Sequence, residues 1–189
     1  DLYREAIAIA DEFNVDRAVA SAIVQSLGMQ LVIAGQLSEA EARLRDALRR
    51  VDELSLNHPS RPPVLRSLSE LMRTVGNYPE AARFGSAATQ AAIETIPADH
   101  PFVPAIKTTW GRALVETGDL AQAELVLDEA YTAFKKLRPA GHTDLAVTQL
   151  GLGTLYRHQG RLRDSEQILR QARASLRSNP SIKAMHAGV

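Results

Sequence analysis

Large apolar residues recur four positions apart along the chain, a spacing typical of one face of an α-helix. These pairs are Leu27 and Leu31, Leu68 and Met72, Trp110 and Leu114, and Leu152 and Tyr156. Residues four apart in a helix lie on the same side of it, one turn above the other. The stretch after the first pair has the related helical spacing of three and four residues, with Leu37, Ala40, Leu44 and Ala47. The pattern predicts helices throughout the chain, and no stretch resembles a β-strand.

The helical pattern repeats with a period of 41 or 42 residues. Four glycines mark the period: Gly35, Gly76, Gly118 and Gly160. Seven positions before each of them lies a small residue: Gly28, Ser69, Gly111 or Gly153. Five positions after each of them lies another: Ala40, Ala81, Ala123 or Ser165. Agreement in residue class across four copies is the signature of a protein built from stacked structural repeats.

Each repeat is predicted to be a pair of helices joined by a turn at its glycine. Glycine adopts the left-handed conformation at a helix end without steric cost, and small facing residues let two helices approach closely. First helices are expected at about residues 16–34, 61–75, 102–117 and 143–159. Second helices are expected at about residues 37–55, 78–95, 120–137 and 162–177.

Two features predict how the second helices begin. Ser38 and Glu41 have the spacing of a capping box, in which each side chain bonds a free backbone N–H of the first turn. Pro79 suits the first turn of its helix, where a missing N–H costs little. Before the third pair, Pro101 is expected to start the first helix, capped by Asp99 or His100.

The repeats are predicted to form one array over residues 1–189, because each helix pair leaves apolar surface that only a neighbour can cover. Residues 1–15 are expected to hold the second helix of a truncated repeat. Four repeats follow, and residues 179–189 are either a tail or the start of another helix. The repeats span residues 16–57, 58–99, 100–141 and 142–178. Because the chain starts at Asp1 rather than methionine, we expect it to be a fragment of a longer protein.

Composition excludes several classes of function. The chain has 22 basic and 22 acidic residues, whereas a general nucleic-acid binder normally has a basic excess. It has no cysteine, and therefore no disulfide framework or zinc thiolate site. No apolar run approaches the roughly 18 to 20 residues that a membrane span needs, and no signal peptide is visible. A cytoplasmic protein without membrane or nucleic-acid partners is expected.

The repeat pattern resembles the tetratricopeptide repeat. The residues that carry the resemblance are the large-small pairs Leu27-Gly28, Trp110-Gly111 and Leu152-Gly153, the turn glycine, and the two later alanines. The 42-residue spacing and the "ADHP" loop are similar to the kinesin light chain type, and similar repeats occur widely in bacterial signalling proteins. The resemblance implies an all-α, right-handed superhelix of about four helix pairs plus a partial N-terminal repeat. First helices would line a concave groove that binds peptides or protein segments, without catalysis or a cofactor.

The second repeat departs from this pattern at two positions. Ser69 replaces the glycine found in the other repeats, and Gly85 replaces a large residue. The large residues at the equivalent positions are Leu44, Leu127 and Leu169. The second repeat is therefore expected to pack less tightly.

Three histidines also follow the period, which decides between two interpretations of them. His58, His100 and His142 are each 42 residues apart. A histidine beside an acid, as in Asp99-His100, can act in acid-base chemistry or bind a metal. Histidines repeated once per loop are offset along a stack, however, and need not converge. We therefore expect loop residues that cap or orient the next first helix, and neither a metal site nor an enzyme.

The family's groove-facing positions can be carried over relative to each turn glycine. The resemblance implies the following binding residues: Gln25, Met29, Arg66, Glu70, Arg73, Thr108, Arg112, Thr154 and Arg157. Four of these are arginines, which suit paired hydrogen bonds to carboxylates. They predict a basic strip for an acidic or C-terminal peptide segment. The alternative is a solvated face on which the arginines pair with Glu70, Glu116 or other acids.

The expected function is a non-catalytic protein-interaction module of a larger signalling or regulatory protein. Two alternatives are a sensor domain for a peptide or small ligand, and the regulatory tail of a bacterial serine/threonine kinase or a nucleotide-driven regulator. Truncated repeats expose apolar ends, so the sequence leaves the oligomeric state open.

Overall fold

A computed structural model describes residue 5, residues 16–139 and residues 141–178. These residues form helices and no strands. The helices are α1 (Arg17–Ile33), α2 (Leu37–Asp52), α3 (Arg61–Thr74), α4 (Tyr78–Thr95), α5 (Phe102–Thr117), α6 (Leu120–Leu137), α7 (Thr143–His158) and α8 (Leu162–Ser178). The all-α prediction is confirmed. The expected helices in residues 1–15 and 179–189 lie outside the described part of the chain.

The helices form two compact units, Asp1–Pro97 and Ala98–Val189. In the first unit α1 pairs with α2 and α3 pairs with α4, while α3 also packs against α1 and α2. The second unit has the same plan, with pairs α5–α6 and α7–α8 and with α7 packed against α5 and α6. Within each unit the two first helices are therefore direct neighbours.

Each pair turns at its predicted glycine. Gly118 has φ = 84°, and the Asp119 N–H donates to the carbonyl of Leu114 at 3.1 Å, the six-residue bond of a Schellman motif. The other turn glycines have φ = 74°, 79° and 75°. A Cβ atom on any of the four would meet nothing within 4 Å. These positions therefore need glycine for its backbone conformation and not for its small size.

Glycines inside the first helices have the opposite role. A Cβ atom on Gly111 of α5 would lie 2.6 Å from Leu127 of α6, and Gly28 and Leu44 have the same relationship at 2.7 Å. In the last pair a Cβ atom on Gly153 would lie 2.5 Å from the Leu169 side chain. These glycines make room for a leucine of the partner helix, as the small-residue pattern predicts.

The second repeat has a different pair of residues at the same place. Ser69 and Gly85 are both buried, and their separation of 16 residues equals that of Gly28 and Leu44. The Ser69 hydroxyl donates to the carbonyl of Ala81 at 2.7 Å. The serine hydroxyl therefore bridges the two helices at the position where the other repeats have glycine, and the looser packing expected of this repeat stays a prediction.

The helix starts match the sequence in one case and differ in another. Pro79 lies in the first turn of α4, as predicted. The capping box of Ser38 and Glu41 is wrong: α2 begins at Leu37, which puts Ser38 inside the helix. Its N-cap residue makes no side-chain hydrogen bond, and Glu41 instead pairs with Arg45 at 2.8 Å.

Candidate functional site

The three periodic histidines share one hydrogen bond. In each loop the imidazole Nδ1 accepts the backbone N–H of the residue two positions later: Ser60 at 3.1 Å, Phe102 at 3.2 Å and Asp144 at 3.2 Å. The bond satisfies one of the free N–H groups at the start of the next first helix. His58, His100 and His142 are thus loop caps, as predicted.

Polar side chains tie the two first helices of each unit together. In the first unit, Gln25 of α1 donates through Nε2 to the carbonyl of Pro63 at 3.2 Å and to the Ser67 hydroxyl of α3 at 2.9 Å. In the second unit, the hydroxyls of Thr108 on α5 and Thr148 on α7 are 2.9 Å apart. Successive first helices therefore contact each other through polar side chains within each unit.

On the first unit, the face predicted to bind a ligand carries an ion pair. The Arg73 guanidinium lies 2.7 Å from the Glu70 carboxylate, and the side chains of both residues are about a quarter exposed. Arg66, two turns before Arg73 on α3, and Met29 on α1 are half-buried. The Arg73–Glu70 pair is one that the solvated-face alternative anticipates.

On the second unit the face combines arginines with smaller residues. Arg112 of α5 is half-buried, and its Cγ lies 3.1 Å from the position that a Cβ on Gly151 of α7 would take. Arg157 of α7 is exposed, and Thr154 is half-buried with its hydroxyl bonded to the carbonyl of Leu150 at 3.1 Å. The glycine lets the aliphatic stem of Arg112 lie across the neighbouring first helix.

Two of the residues expected to contact a ligand are instead used to join helices. Thr108 is 4 % exposed, and its hydroxyl also bonds the carbonyl of Pro104 at 2.9 Å. A ligand on the surface cannot reach it, so its assignment as a binding residue is corrected. Gln25 is half-buried, and its amide nitrogen is engaged by α3.

Other candidate chemistry gains no support from the geometry. His158 is exposed at the end of α7. No group of three or more histidine, aspartate or glutamate side chains within residues 16–139 and 141–178 is placed to hold a metal ion. Among the described helices, none combines the length and the apolar character that crossing a membrane requires.

A cleft along α6 is a feature that the repeat pattern did not indicate. It has a volume of about 1000 Å³, and the residues that line it lie between positions 98 and 137, mostly on α6. Leu125, which is 55 % exposed, lies in it beside Asp128. Lys107 of α5 reaches the cleft and pairs with Glu129 at 2.7 Å. In the sequence, a leucine placed among acidic residues on a predicted second helix is the signal that could have pointed to this cleft.

At one end of this cleft, residues of the turn between α7 and α8 bond the carboxylate of Glu124. The Glu124 carboxylate accepts hydrogen bonds from Gln159 at 2.8 Å and Arg161 at 2.6 Å, and these bonds lower the pKa of Glu124. Arg161 also stacks 4.1 Å above the Tyr156 ring. One turn further along α6, burial and the charge of Glu124 raise the pKa of Asp128.

Comparison with known proteins agrees with this architecture. Residues 102–178, which cover both helix pairs of the second unit, match the tetratricopeptide repeat family model. The predicted resemblance is confirmed. The matched tetratricopeptide repeats contain the signature pairs Trp110-Gly111 and Leu152-Gly153. No curated protein sequence matches the chain.

Solved structures extend the likeness to nearly the whole chain. TPR-like repeats of kinesin light chain type from Podosopora anserina are 22 % identical, with a TM-score of 0.70 over 92 % of this chain and 83 % of theirs. BtubC (BKLC) from P. vanneervenii is 21 % identical, with a TM-score of 0.76 over 94 % of this chain and 70 % of its own. At these identities the likeness concerns the fold of the tetratricopeptide repeats alone.

Proposed function

We propose that the chain is a non-catalytic interaction module of a larger signalling or regulatory protein, and that its first-helix faces bind an acidic protein segment. The observation that carries the proposal is the face of α5 and α7. There the buried Thr108–Thr148 bond joins the two helices, Arg112 is half-buried and Arg157 is exposed. Tetratricopeptide repeats generally serve as scaffolds for protein interactions, which supports the coarser part of this proposal.

The chemistry of this face favours carboxylates. A guanidinium offers a planar fork of donors that matches a carboxylate, and the Arg157 side chain makes no hydrogen bond or ion pair to any residue that the structure describes. The exposed Leu150, two turns earlier on the same helix, offers an apolar contact. An acidic segment with an apolar residue next to a Glu, Asp or terminal carboxylate would complement this surface.

The first unit would offer a second carboxylate-binding site at Arg73. Arg73 is paired with Glu70, so a ligand carboxylate has to compete with an existing partner. A ligand carboxylate gains less at Arg73, because the guanidinium must give up part of its existing interaction with Glu70. We therefore expect Arg157 to contribute more to binding than Arg73.

The test uses a labelled peptide rich in Glu and Leu with a free C-terminal carboxylate, and the same peptide with Gln in place of Glu. Fluorescence anisotropy with the chain should give tighter binding of the acidic peptide, weakened by salt. Arg112→Ala and Arg157→Ala should each reduce its affinity about tenfold to a hundredfold, because a charge-assisted hydrogen bond contributes about 1.5–3 kcal/mol.

Arg170→Ala is the matched control, since Arg170 is exposed on the second helix α8 and paired with Glu166 at 2.6 Å. It should leave the affinity unchanged. Equal binding of the two peptides, or equal losses in the control and the test variants, would show that the arginines are only a solvated face.

A further inference from the structure

The α6 cleft has a surface that one type of partner would complement. Ala121, Leu125, Asp128, Thr132 and Lys136 all line it. Their spacing of four, three, four and four residues puts them on one line along the helix. At 1.5 Å per residue the line is about 22 Å long. A stripe of this kind is a surface onto which a second helix can pack.

The backbone of α6 restricts the conformation of an occupant. All the backbone N–H and C=O groups in the middle of a helix bond within it, so the cleft offers an extended segment no backbone partners. A segment bound on the apolar part of the cleft must satisfy its own backbone groups. A helical occupant does so, and its side chains can reach the stripe.

The charges along the stripe restrict the occupant's composition. Glu129 is already paired with Lys107, and Glu124 is already bonded by Arg161. The Asp128 carboxylate makes no hydrogen bond or ion pair to any residue that the structure describes. Burial and the negative charge of Glu124 raise its pKa against the smaller effect of the Arg161 charge, and a cation from a partner would offset the repulsion from Glu124. Leu125, half exposed, lies within one turn of it.

We propose that the α6 cleft binds a basic amphipathic helix. Its apolar face packs on Ala121 and Leu125, and a Lys or Arg side chain of the same helix pairs with Asp128. This surface is on a second helix, and the expected ligand charge is opposite to that of the first-helix face. The two sites can therefore be tested separately.

The probe is a labelled 16-residue helical peptide of Leu, Ala and Lys with leucines on one face, compared with the same peptide carrying Glu in place of Lys. Anisotropy with the whole chain should show at least tenfold tighter binding of the Lys peptide. Asp128→Asn and Leu125→Ser should each weaken it about fivefold to tenfold. Asparagine keeps the shape of the aspartate side chain, so a loss in Asp128→Asn reports on charge.

Glu166→Gln is the control, because it removes an exposed acid of α8 outside the cleft. It should not change the affinity for the Lys peptide, and neither should Arg112→Ala. Conversely, Asp128→Asn should leave the acidic peptide of the first-helix face unaffected. A negative binding result at one proposed site therefore does not change the conclusion about the other.

Three outcomes would overturn the proposal: equal affinity for the two helical peptides, an Asp128→Asn variant that binds as well as the parent, or a loss of the same size in Glu166→Gln. Sedimentation of the chain alone tests whether the chain associates with itself. Self-association abolished by Leu125→Ser would mean that the cleft is occupied by a second copy of the chain and not by a basic helix.

Discussion

Leu127 of α6 fills the space beside Gly111 of α5, so that a Cβ atom at Gly111 would lie 2.6 Å from the Leu127 Cγ atom. Leu127 and Gly111 are both buried in the second unit. The same pairing of a glycine with a leucine 16 residues later holds the first and last repeats together. Close helix approach in this protein therefore depends on a specific pair of residues in each repeat.

Gly111→Ala should destabilise the second unit by about 1–2 kcal/mol. Overpacking costs about 1–3 kcal/mol, and the better helix propensity of alanine returns up to about 1 kcal/mol. Urea unfolding followed by circular dichroism measures the change. In a Leu127→Ala background the same substitution should cost less, because the clash is gone. Equal costs in both backgrounds would contradict the pairing.

Ser69 and Gly85 should show the reverse coupling in the second repeat. Ser69→Gly removes a buried hydrogen bond to Ala81 and should cost about 1–2 kcal/mol. Gly85→Leu should be destabilising while Ser69 is present. The double variant recreates the glycine-leucine pair of the other repeats and should be more stable than the sum of the single changes predicts. A strictly additive double-mutant cycle would show that the two positions are independent.

His100→Ala should lower the free energy of unfolding by about 1 kcal/mol, because the Phe102 N–H loses its acceptor. His100→Asn should change it by only a few tenths, since an asparagine side-chain oxygen can accept the N–H two residues later. Thermal unfolding of the two variants provides the comparison. If both variants lose the same stability, the imidazole contributes through packing and not through its hydrogen bond.

Glu124 and Asp128, one turn apart on α6, should respond to pH with opposite signs. The pKa of Glu124 lies below its ordinary 4.5 because Gln159 and Arg161 bond the carboxylate. Its contribution to stability is thus present above about pH 4.5 and is lost as the pH falls through the lower folded-state value. The pKa of Asp128 lies above its ordinary 3.8, so the folded state loses stability as the pH rises through the raised value.

At neutral pH, Glu124→Gln should therefore destabilise the chain and Asp128→Asn should leave it equally or more stable. Melting temperatures at pH 7 and pH 4 measure both effects. The difference between Glu124→Gln and the parent should shrink at the lower pH. A destabilised Asp128→Asn at pH 7 would contradict the raised pKa of this carboxyl.

The periodic pattern was enough to predict the helices and their packing. α5 and α6 begin and end at the residues expected, because turn glycines and apolar spacing mark both ends. α2 ends at Asp52, although the sequence predicted a helix as far as residue 55. Leu54 and Leu56 follow its end and are exposed, so no neighbouring helix that the structure describes covers them.

The candidate site was harder to predict for a physical reason. Counting along a helix gives the face on which a residue lies, but not what covers that face. Thr108 was placed correctly on α5, yet Thr148, 40 residues later, buries it. The α6 cleft likewise depends on Lys107 reaching Glu129 from another helix. Contacts of this kind differ between repeats, so a pattern shared by all repeats does not contain them.

The complementary pair of Ser69 and Gly85 limits how such repeats can be recombined. Joining the first helix of this repeat to the second helix of a neighbour would place a serine against a leucine, and the reciprocal exchange would place a glycine against a glycine. One chimera would be overfilled and the other would contain a void. The smallest segment that can be exchanged between positions in the chain, by evolution or by a protein engineer, is therefore the whole helix pair.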